Sequence, residues 1–428
     1  MHWKKSSGIF ALASSTAAQN GGGNGNGTNG TSLTDALQSQ IQSLSTLTGK
    51  SLMQQNPQFI QSLNNERNIT ILAPNNDALA SLMSNNNSNS FSNSTGSPLP
   101  LSEGYLNALL YYHVLDGTYY APSNFTETPE FVPSRLTNQS YTNVTGGQRV
   151  ECSRAGDGNV TFMSALKQNV SVVTPNVNFT GGTIHIIDGL LNIPQNVTDT
   201  LTNANLTACA GALRAANLAQ NVSDARDVTI FAPSNEAFDA IGSILAGLEA
   251  QNMSNANATG NGNGSGNGTG QGVQLLRNIV GYHVVEGTVA FTPQLGNTTL
   301  RSEAGPDINV RVIDGQVYAN QARVVGPNIL CANGVIHVID RVLNPNDTSA
   351  TPEPSATTTA PAYSGASSGT AGIPFTSGVS TPTTTYPAAT TTEGGGGHTG
   401  SHGVAAPAAT GAVGIAALFG GAVVLANL

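Results

Sequence analysis

Seven histidines occur in the chain, and four of them stand in recurring settings. His113 and His283 each follow a tyrosine, Tyr112 and Tyr282, whereas His185 and His337 each stand three residues before an aspartate, Asp188 and Asp340. A histidine near a carboxylate is the raw material of metal ligation or general acid–base catalysis. The spacing argues against both. Residues three apart on an extended strand point to opposite faces, so His185 and Asp188 cannot address one site while the strand stays regular, and the same holds for His337 and Asp340. His113 and Asp116 could meet on one helical turn, but Asp116 precedes Gly117, where a turn accounts for it. The expectation is four buried imidazoles whose ring nitrogens are satisfied by backbone or Ser/Asn partners. Nothing else replaces them as catalytic machinery: there is no Gly-x-Ser-x-Gly elbow, no Gly-rich phosphate loop ahead of a lysine and no His-Glu-x-x-His. A polysaccharide hydrolase would need two carboxylates facing each other across a cleft, and no such pair stands out. No catalytic, cofactor-binding or metal-ligating residue is expected.

The elements that must position these histidines come in two copies. Ile69-Thr-Ile-Leu-Ala-Pro-Asn-Asn-Asp-Ala-Leu79 returns as Val228-Thr-Ile-Phe-Ala-Pro-Ser-Asn-Glu-Ala-Phe238. Leu110-Tyr-Tyr-His-Val-Leu-Asp-Gly-Thr118 returns as Val280-Gly-Tyr-His-Val-Val-Glu-Gly-Thr288, and Gly182-Thr-Ile-His-Ile-Ile-Asp188 as Gly334-Val-Ile-His-Val-Ile-Asp340. Such a period is a whole duplicated domain, since solenoid repeats are far shorter. In each copy the first segment reads as strand, turn and helix: β-branched residues, a proline stop, then a capping residue ahead of helix formers. The second has apolar residues at helical spacing running into Asp-Gly, and the third ends in an apolar strand. With short β-branched runs such as Val170–Val173 and Ile308–Ile313 and helices concentrated in each first half, the domains read as α+β. Low-complexity insertions at 84–100 and 251–272 occupy the same place in both copies, which marks an exposed loop.

These three segments, in order and twice over, resemble the signature of the fasciclin domain: an apolar strand into Ala-Pro-x-Asn-x-Ala-Phe, a central Tyr-His and a closing Gly-x-Ile-His-x-Ile-Asp. Leu79 and Asn76-Asp77 depart from it in the first copy as packing variants. The resemblance covers two tandem domains, 31–195 and 196–346. It implies a wedge-shaped β-sandwich with helices packed at one end, on secreted or surface-anchored proteins that act in adhesion and matrix contact. It also implies partner recognition around the Tyr-His pair, which makes Tyr112, His113, Tyr282 and His283 the expected partner-binding residues.

The remaining sequence fits an exported, tethered protein. Residues 1–18 read as a signal peptide, with Lys4 and Lys5 ahead of a short apolar stretch and small residues at the cleavage site. A Gly/Asn linker follows at 19–30. Residues 347–400 have the Thr/Ser/Pro composition of an O-glycosylated stalk, and 401–428 match a signal for a glycosylphosphatidylinositol anchor, with small residues, a spacer and an apolar tail. Twenty Asn-x-Ser/Thr sequons occur, against roughly nine expected by chance from the composition. Glycosylation is expected at Asn68, Asn93, Asn124, Asn138, Asn143, Asn159, Asn169, Asn178, Asn196, Asn205, Asn221, Asn252, Asn257, Asn297 and Asn346. Glycans would hydrate a surface that has few charges, only 9% of all residues. The fungal surface members of the family have similar sequons, stalk and tail.

Fifteen Lys plus Arg against twenty-four Asp plus Glu, without a basic cluster, exclude nucleic acid as a partner. The expected partners are cell-surface or matrix proteins, wall polysaccharides and, through the anchor, a lipid bilayer. Three cysteines in an oxidising compartment leave one unpaired. Cys331 aligns with Phe179, and Cys209 lies in the helix opening the second domain, whose counterpart near Leu33 to Leu37 also lacks a cysteine. Both being present in one copy and absent in the other is the pattern of a single bridge, so Cys209–Cys331 is expected and Cys152 is left over. The functional expectation is a non-enzymatic adhesion or wall-contact glycoprotein on the outer face of the plasma membrane. Its alternative is a structural or maintenance role in the wall or vacuolar membrane without an adhesive ligand.

Overall fold

The computed structural model describes residues 30–40, 57–83, 102–248, 271–354, 361–370 and 372–380. The signal segment, most of the 19–30 linker, nearly all of both insertions, the apolar C-terminal run and the sequons at Asn93, Asn252 and Asn257 lie outside the described residues.

The first repeat opens with helices α1 (Leu33–Ser39) and α2 (Pro57–Asn65), then strand β1 (Ile69–Pro74) and helices α3 (Asn76–Met83) and α4 (Glu103–Tyr112). Side-chain caps start three of these helices: Ser32 accepts from the Asp35 N–H, Asn75 from the Ala78 N–H and Ser102 from the Tyr105 N–H. Strands β2 (Val114–Asp116), β3 (Glu130–Pro133), β4 (Arg149–Arg154), β5 (Val160–Met163), β6 (Asn169–Phe179) and β7 (Gly182–Ile187) complete it. The second repeat carries α5 (Val197–Asn203), α6 (Thr207–Ala215), α7 (Ala219–Asp224), β8 (Val228–Pro233), α8 (Asn235–Asp239) and α9 (Gln271–Gly281). It then runs through β9 (Val284–Val285), β10 (Thr298–Arg301), β11 (Asp307–Ile313), β12 (Gln316–Ala319), β13 (Ala322–Cys331) and β14 (Gly334–Ile339).

The strand order is β2-β1-β7-β6-β5-β4-β3 in one repeat and, read from the other edge, β9-β8-β14-β13-β12-β11-β10 in the second. The duplication seen in the motifs is thus repeated strand for strand. The first and third motifs pair in parallel, β1 with β7 and β8 with β14, while β2 and β9 pair antiparallel on the other side. All three motifs therefore meet in one place. The glycine that both copies of the third motif share is what allows that pairing: a Cβ on Gly182 would sit 1.8 Å from the Ile69 carbonyl oxygen, and one on Gly334 would sit 1.9 Å from that of Val228. Bulges in β6 and β13 bend the sheet. An isolated bridge from Leu115 to Ser134 then closes β2 against the end of β3, so the sheet wraps into a nearly closed sandwich with the helices at one end. This is the α+β sandwich the sequence implied.

Each repeat has its own core. Leu72, Leu109, Tyr112, Phe125 and Phe162 belong to that of the first, and Leu213, Ile230, Phe238 and Ile336 to that of the second. Burying a side chain of this size is worth about 1.5–3 kcal/mol. A small cluster of Phe291, Leu330 and Val335, with Phe131 packed on it, spans the two repeats. There the rings of Phe131 and Phe291 stack with centroids 3.8 Å apart and planes 5° from parallel. Beside them Gln148, fully buried, donates to the Cys331 carbonyl at 3.1 Å, and the Asn143 N–H donates to Ala332 O at 2.9 Å. Leu166 lies in the turn Ala165–Lys167 with φ +52° and packs on the second repeat's core.

The segment expected as stalk is not all free of the body. Tyr363, Ala366, Phe375 and Val379 pack on the second repeat's core, and Tyr363 donates its hydroxyl to Leu343 O at 3.2 Å. Two glycines make room for this strap. A Cβ on Gly211 of α6 would lie 1.8 Å from Phe375 O, and one on Gly242 would lie 2.4 Å from the Gly369 nitrogen.

Candidate functional site

The second motif ends α4 and α9 with the Tyr-His pair, and the structure places all four side chains inside. Tyr112 and Tyr282 are fully buried; His113 and His283 are 5% and 4% exposed. Their polar atoms are consumed by the fold. Tyr112 donates to Arg149 O and Tyr282 to Asp307 O, each at 2.9 Å, which pins the helix end to the far arm of the sheet. His113 Nδ1–H donates to Leu109 O at 2.8 Å while Nε2 accepts from the Leu191 N–H at 3.0 Å. His283 repeats this with Ile279 O and the Leu343 N–H, both at 2.8 Å. All four residues expected to meet a partner, Tyr112, His113, Tyr282 and His283, are thus buried. They staple the helix to the chain leaving the last strand.

The third motif's histidines use the opposite tautomer. His185 Nε2–H donates to Tyr119 O at 2.9 Å, and its Nδ1 accepts from the Asn176 N–H at 3.1 Å. In the second repeat His337 does the same with Ala290 O at 2.8 Å and the Asn328 N–H at 3.3 Å. Burial lowers His113, His283 and His337 to about 4, against a weaker opposing pull from the carbonyl each one donates to. His185 is lowered for the same reason. Both nitrogens of each ring are thus satisfied in the neutral form. Asp188 and Asp340 face elsewhere, accepting from the Ser171 and Arg323 N–H groups at 2.7 and 2.8 Å. His185 and His337 thus bond other groups than Asp188 and Asp340 do.

Residues that sequence reasoning passed over complete these clasps. Asn176 and Asn328, at φ +60° and +62°, are the bulge residues of β6 and β13. Asn176 Oδ1 accepts from the Ala121 N–H and Asn328 Oδ1 from the Thr292 N–H, both at 2.9 Å. Thr70 accepts from the Tyr119 N–H and donates to Gly117 O; Thr229 accepts from the Ala290 N–H and donates to Thr288 O. The recurrence of Pro175-Asn176 as Pro327-Asn328, in step with the third motif, was the available signal.

These clasps hold one loop per repeat, and the loops are positioned alike: Tyr119 matches Ala290, since the backbone of each donates to the motif threonine and accepts from the motif histidine, so Tyr120 matches Phe291. The two environments differ. Phe291 is 3% exposed against Phe131, whereas Tyr120 is 42% exposed. Nearby, Val173 on β6 is 56% exposed, while its counterpart Val325 packs on the second repeat's core.

The cysteines are three free, buried thiols, so the expected Cys209–Cys331 bridge is not made in this structure. Desolvation pushes the Cys209 and Cys331 thiols up to about 12, and Cys331 Sγ–H donates to Asn333 Oδ1. Most described sequons are exposed, including Asn68, Asn124, Asn138, Asn159, Asn169, Asn178, Asn196, Asn205, Asn221, Asn297 and Asn346. Asn143 differs: it is half-buried, and its Nδ2 donates across the joint to Asp224 O at 3.2 Å.

Comparison with known proteins gives this architecture a family. A fasciclin-like arabinogalactan protein of Arthroderma benhamiae is 34% identical over 345 residues, covering 81% of this chain and 74% of that protein. The fasciclin-like arabinogalactan protein elcF of Phaeosphaeria nodorum is 29% identical over 287 residues, 67% of this chain and 80% of its own. A solved domain pair from the insect cell adhesion molecule fasciclin I aligns over 70% of this chain and 97% of its own, at 17% identity and TM-score 0.30. The fasciclin domain itself matches at residues 42–194 and 204–345. Two matched segments across most of the sequence, each with the same strand order, mean that the chain belongs to the fasciclin domain family.

Proposed function

We propose that this is a non-enzymatic surface glycoprotein that contacts neighbouring cells, matrix or wall polymer through its two fasciclin domains. One observation carries the reading. The polar residues shared by the two repeats, which would be the first candidates for chemistry, are spent inside as staples: each motif histidine, both motif tyrosines and both motif threonines bond backbone. What remains outside is a low-charge surface with many exposed sequons, suited to contact rather than catalysis. The family's adhesion-type members support the same direction. Export through the signal segment, N-glycosylation, a Ser/Thr-rich tether and a lipid anchor belong to this reading, as do matrix proteins and wall polysaccharides as partners.

The test is to express the full chain in its own cells and treat intact cells with a phosphatidylinositol-specific phospholipase. Release into the medium, with loss of attachment of those cells to matrix or wall preparations, is expected. Retention in an internal membrane fraction would instead favour the maintenance role in the vacuole.

A further inference from the structure

A polar cleft of about 350 Å³ opens where the two repeats meet, and four sequons converge on it. Gln139 and Tyr141 of the first repeat line it together with Arg214 and Gln220 of the second. Two sequon asparagines, Asn143 and Asn196, lie in the lining itself, while Asn138 and Asn221 are chain neighbours of the lining residues Gln139 and Gln220. Asn143 is already spent: its Nδ2 donates to Asp224 O at 3.2 Å, and the Thr145 hydroxyl of the same sequon donates to the Asp227 carboxylate. Asn196 is exposed, and its side chain is held in one orientation, with Oδ1 accepting from the Asp199 N–H at 2.9 Å and Nδ2 donating to Asp199 Oδ2 at 2.8 Å. An N-linked sugar replaces a single hydrogen of that amide, so the oxygen and the other hydrogen remain to make these bonds. The backbone around it is fixed as well, because the Ala332 N–H donates to Gln195 O at 2.7 Å and Ala332 O accepts from the Asn143 N–H at 2.9 Å.

We infer that this cleft seats the innermost sugars of an N-glycan carried by Asn196, and that the glycan thereby bridges the two repeats. The occupant follows from attachment, since a sugar linked to an asparagine that lines a cleft starts there and is present at an effective concentration that a free glycan does not reach. The lining suits it chemically. A sugar core of this kind is neutral, with hydroxyl and acetamido groups to hydrogen-bond and an apolar ring face. Tyr141 offers a half-buried ring, propped edge-on by Tyr105 with centroids 6.0 Å apart. Arg214 is exposed and has no ion pair or side-chain hydrogen bond among the described residues, so its guanidinium donors are open to a ligand's oxygens. Gln139 and Gln220 add amide oxygens as acceptors. The joint forms the cleft in advance, so little ordering of the protein is left to occur on contact. This inference rests on the N-glycosylation in the proposed function, and its test separates the two.

The experiment is site-resolved deglycosylation of the full chain, isolated from its own cells in mild detergent. An endoglycosidase that cuts between the innermost sugars is added to the folded protein, and glycopeptides report the rate at each asparagine. The Asn196 glycan should be cut at least about tenfold more slowly than those on Asn138 and Asn221, and at an equal rate once the chain is denatured. Arg214→Ala with Gln220→Ala, two exposed positions outside the cores, should bring the Asn196 rate to that of Asn138, and Tyr141→Ala should do the same. Equal rates in the native protein, protection indifferent to these changes, or an empty Asn196 would overturn the assignment. Slow cutting only in the presence of added wall polysaccharide would give the cleft to an outside glycan and overturn it too. Glycans found on Asn138 and Asn221 in any of these cases leave the glycoprotein reading standing, whereas sequons empty throughout would end both.

Discussion

Four imidazoles in this fold are neutral because both nitrogens of each are committed to backbone partners, and that has a consequence for pH. In the unfolded chain a histidine titrates near its ordinary 6.5, whereas His113, His283 and His337 are held at about 4. The folded values are depressed, so the stabilisation is fully present above about 6.5, declines as pH falls, and is lost below about 4. Over that window each such histidine contributes a slope of up to about 1.4 kcal/mol per pH unit. Urea unfolding from pH 7 to pH 4.5 should show a falling midpoint. His283→Asn should be less stable at pH 7 but show a shallower pH slope; an unchanged slope would refute the assignment. A second residue-scale expectation concerns Asn143. Its Nδ2 is engaged across the joint, so glycopeptide mapping should find it empty while nearby Asn138, exposed at a loop, is occupied.

The C-terminal strap is the element that most changes the picture of this molecule. Its backbone approaches α6 so closely that only glycine fits at position 211, and Ser243 and Ser367 exchange two hydrogen bonds at 3.0 Å beside it. Gly211→Val should therefore eject residues 361–379 without disturbing the sheet. Hydrogen exchange would show this as at least about tenfold faster exchange in the strap, with β8 and β14 still protected, at a global cost of about 1–2 kcal/mol. Equal protection in both proteins would mean that the strap contributes nothing. This element was also the least legible in the sequence. Ser, Thr, Pro and Ala between 361 and 379 have no helical or strand period, and Tyr363 and Phe375 are isolated aromatics in a stalk-like composition. The rest of the fold was legible because it was written twice. Matching Ile69–Leu79 with Val228–Phe238 and Gly182–Asp188 with Gly334–Asp340 located the strands, and parity along β7 correctly separated His185 from Asp188. What repeat matching could not reveal is how a shared residue is used. The family resemblance points to Tyr-His as a recognition pair, and in this structure both side chains are buried partners of backbone groups.

At the scale of the whole molecule, the two repeats are fused by a joint that is part apolar and part polar. Phe131 stacks on Phe291, and the buried Gln148 amide spans the seam, with Nε2 donating to Cys331 O and Oε1 accepting from the Arg149 N–H. Nearby, Lys167 and Glu151, largely buried, pair at 2.5 Å and fix the turn that carries Leu166 toward the second repeat. Two left-handed residues in succession, Leu166 and Lys167 at φ +52° and +57°, are conformations of which each costs roughly 1–3 kcal/mol outside glycine and persists only where surroundings over-determine it. That strain is tolerated because the turn is clamped from both sides, which makes the joint a specific contact rather than a linker. Such coupling should make the repeats unfold together. Calorimetry of the native chain should give one transition, and Phe131→Ala combined with Gln148→Ala should split it into two by removing about 2–4 kcal/mol of coupling. Each repeat retains its own core of buried Leu, Ile and Phe residues, so the variant should still fold. Two transitions already present in the native chain would show that the repeats are thermodynamically independent despite the contact.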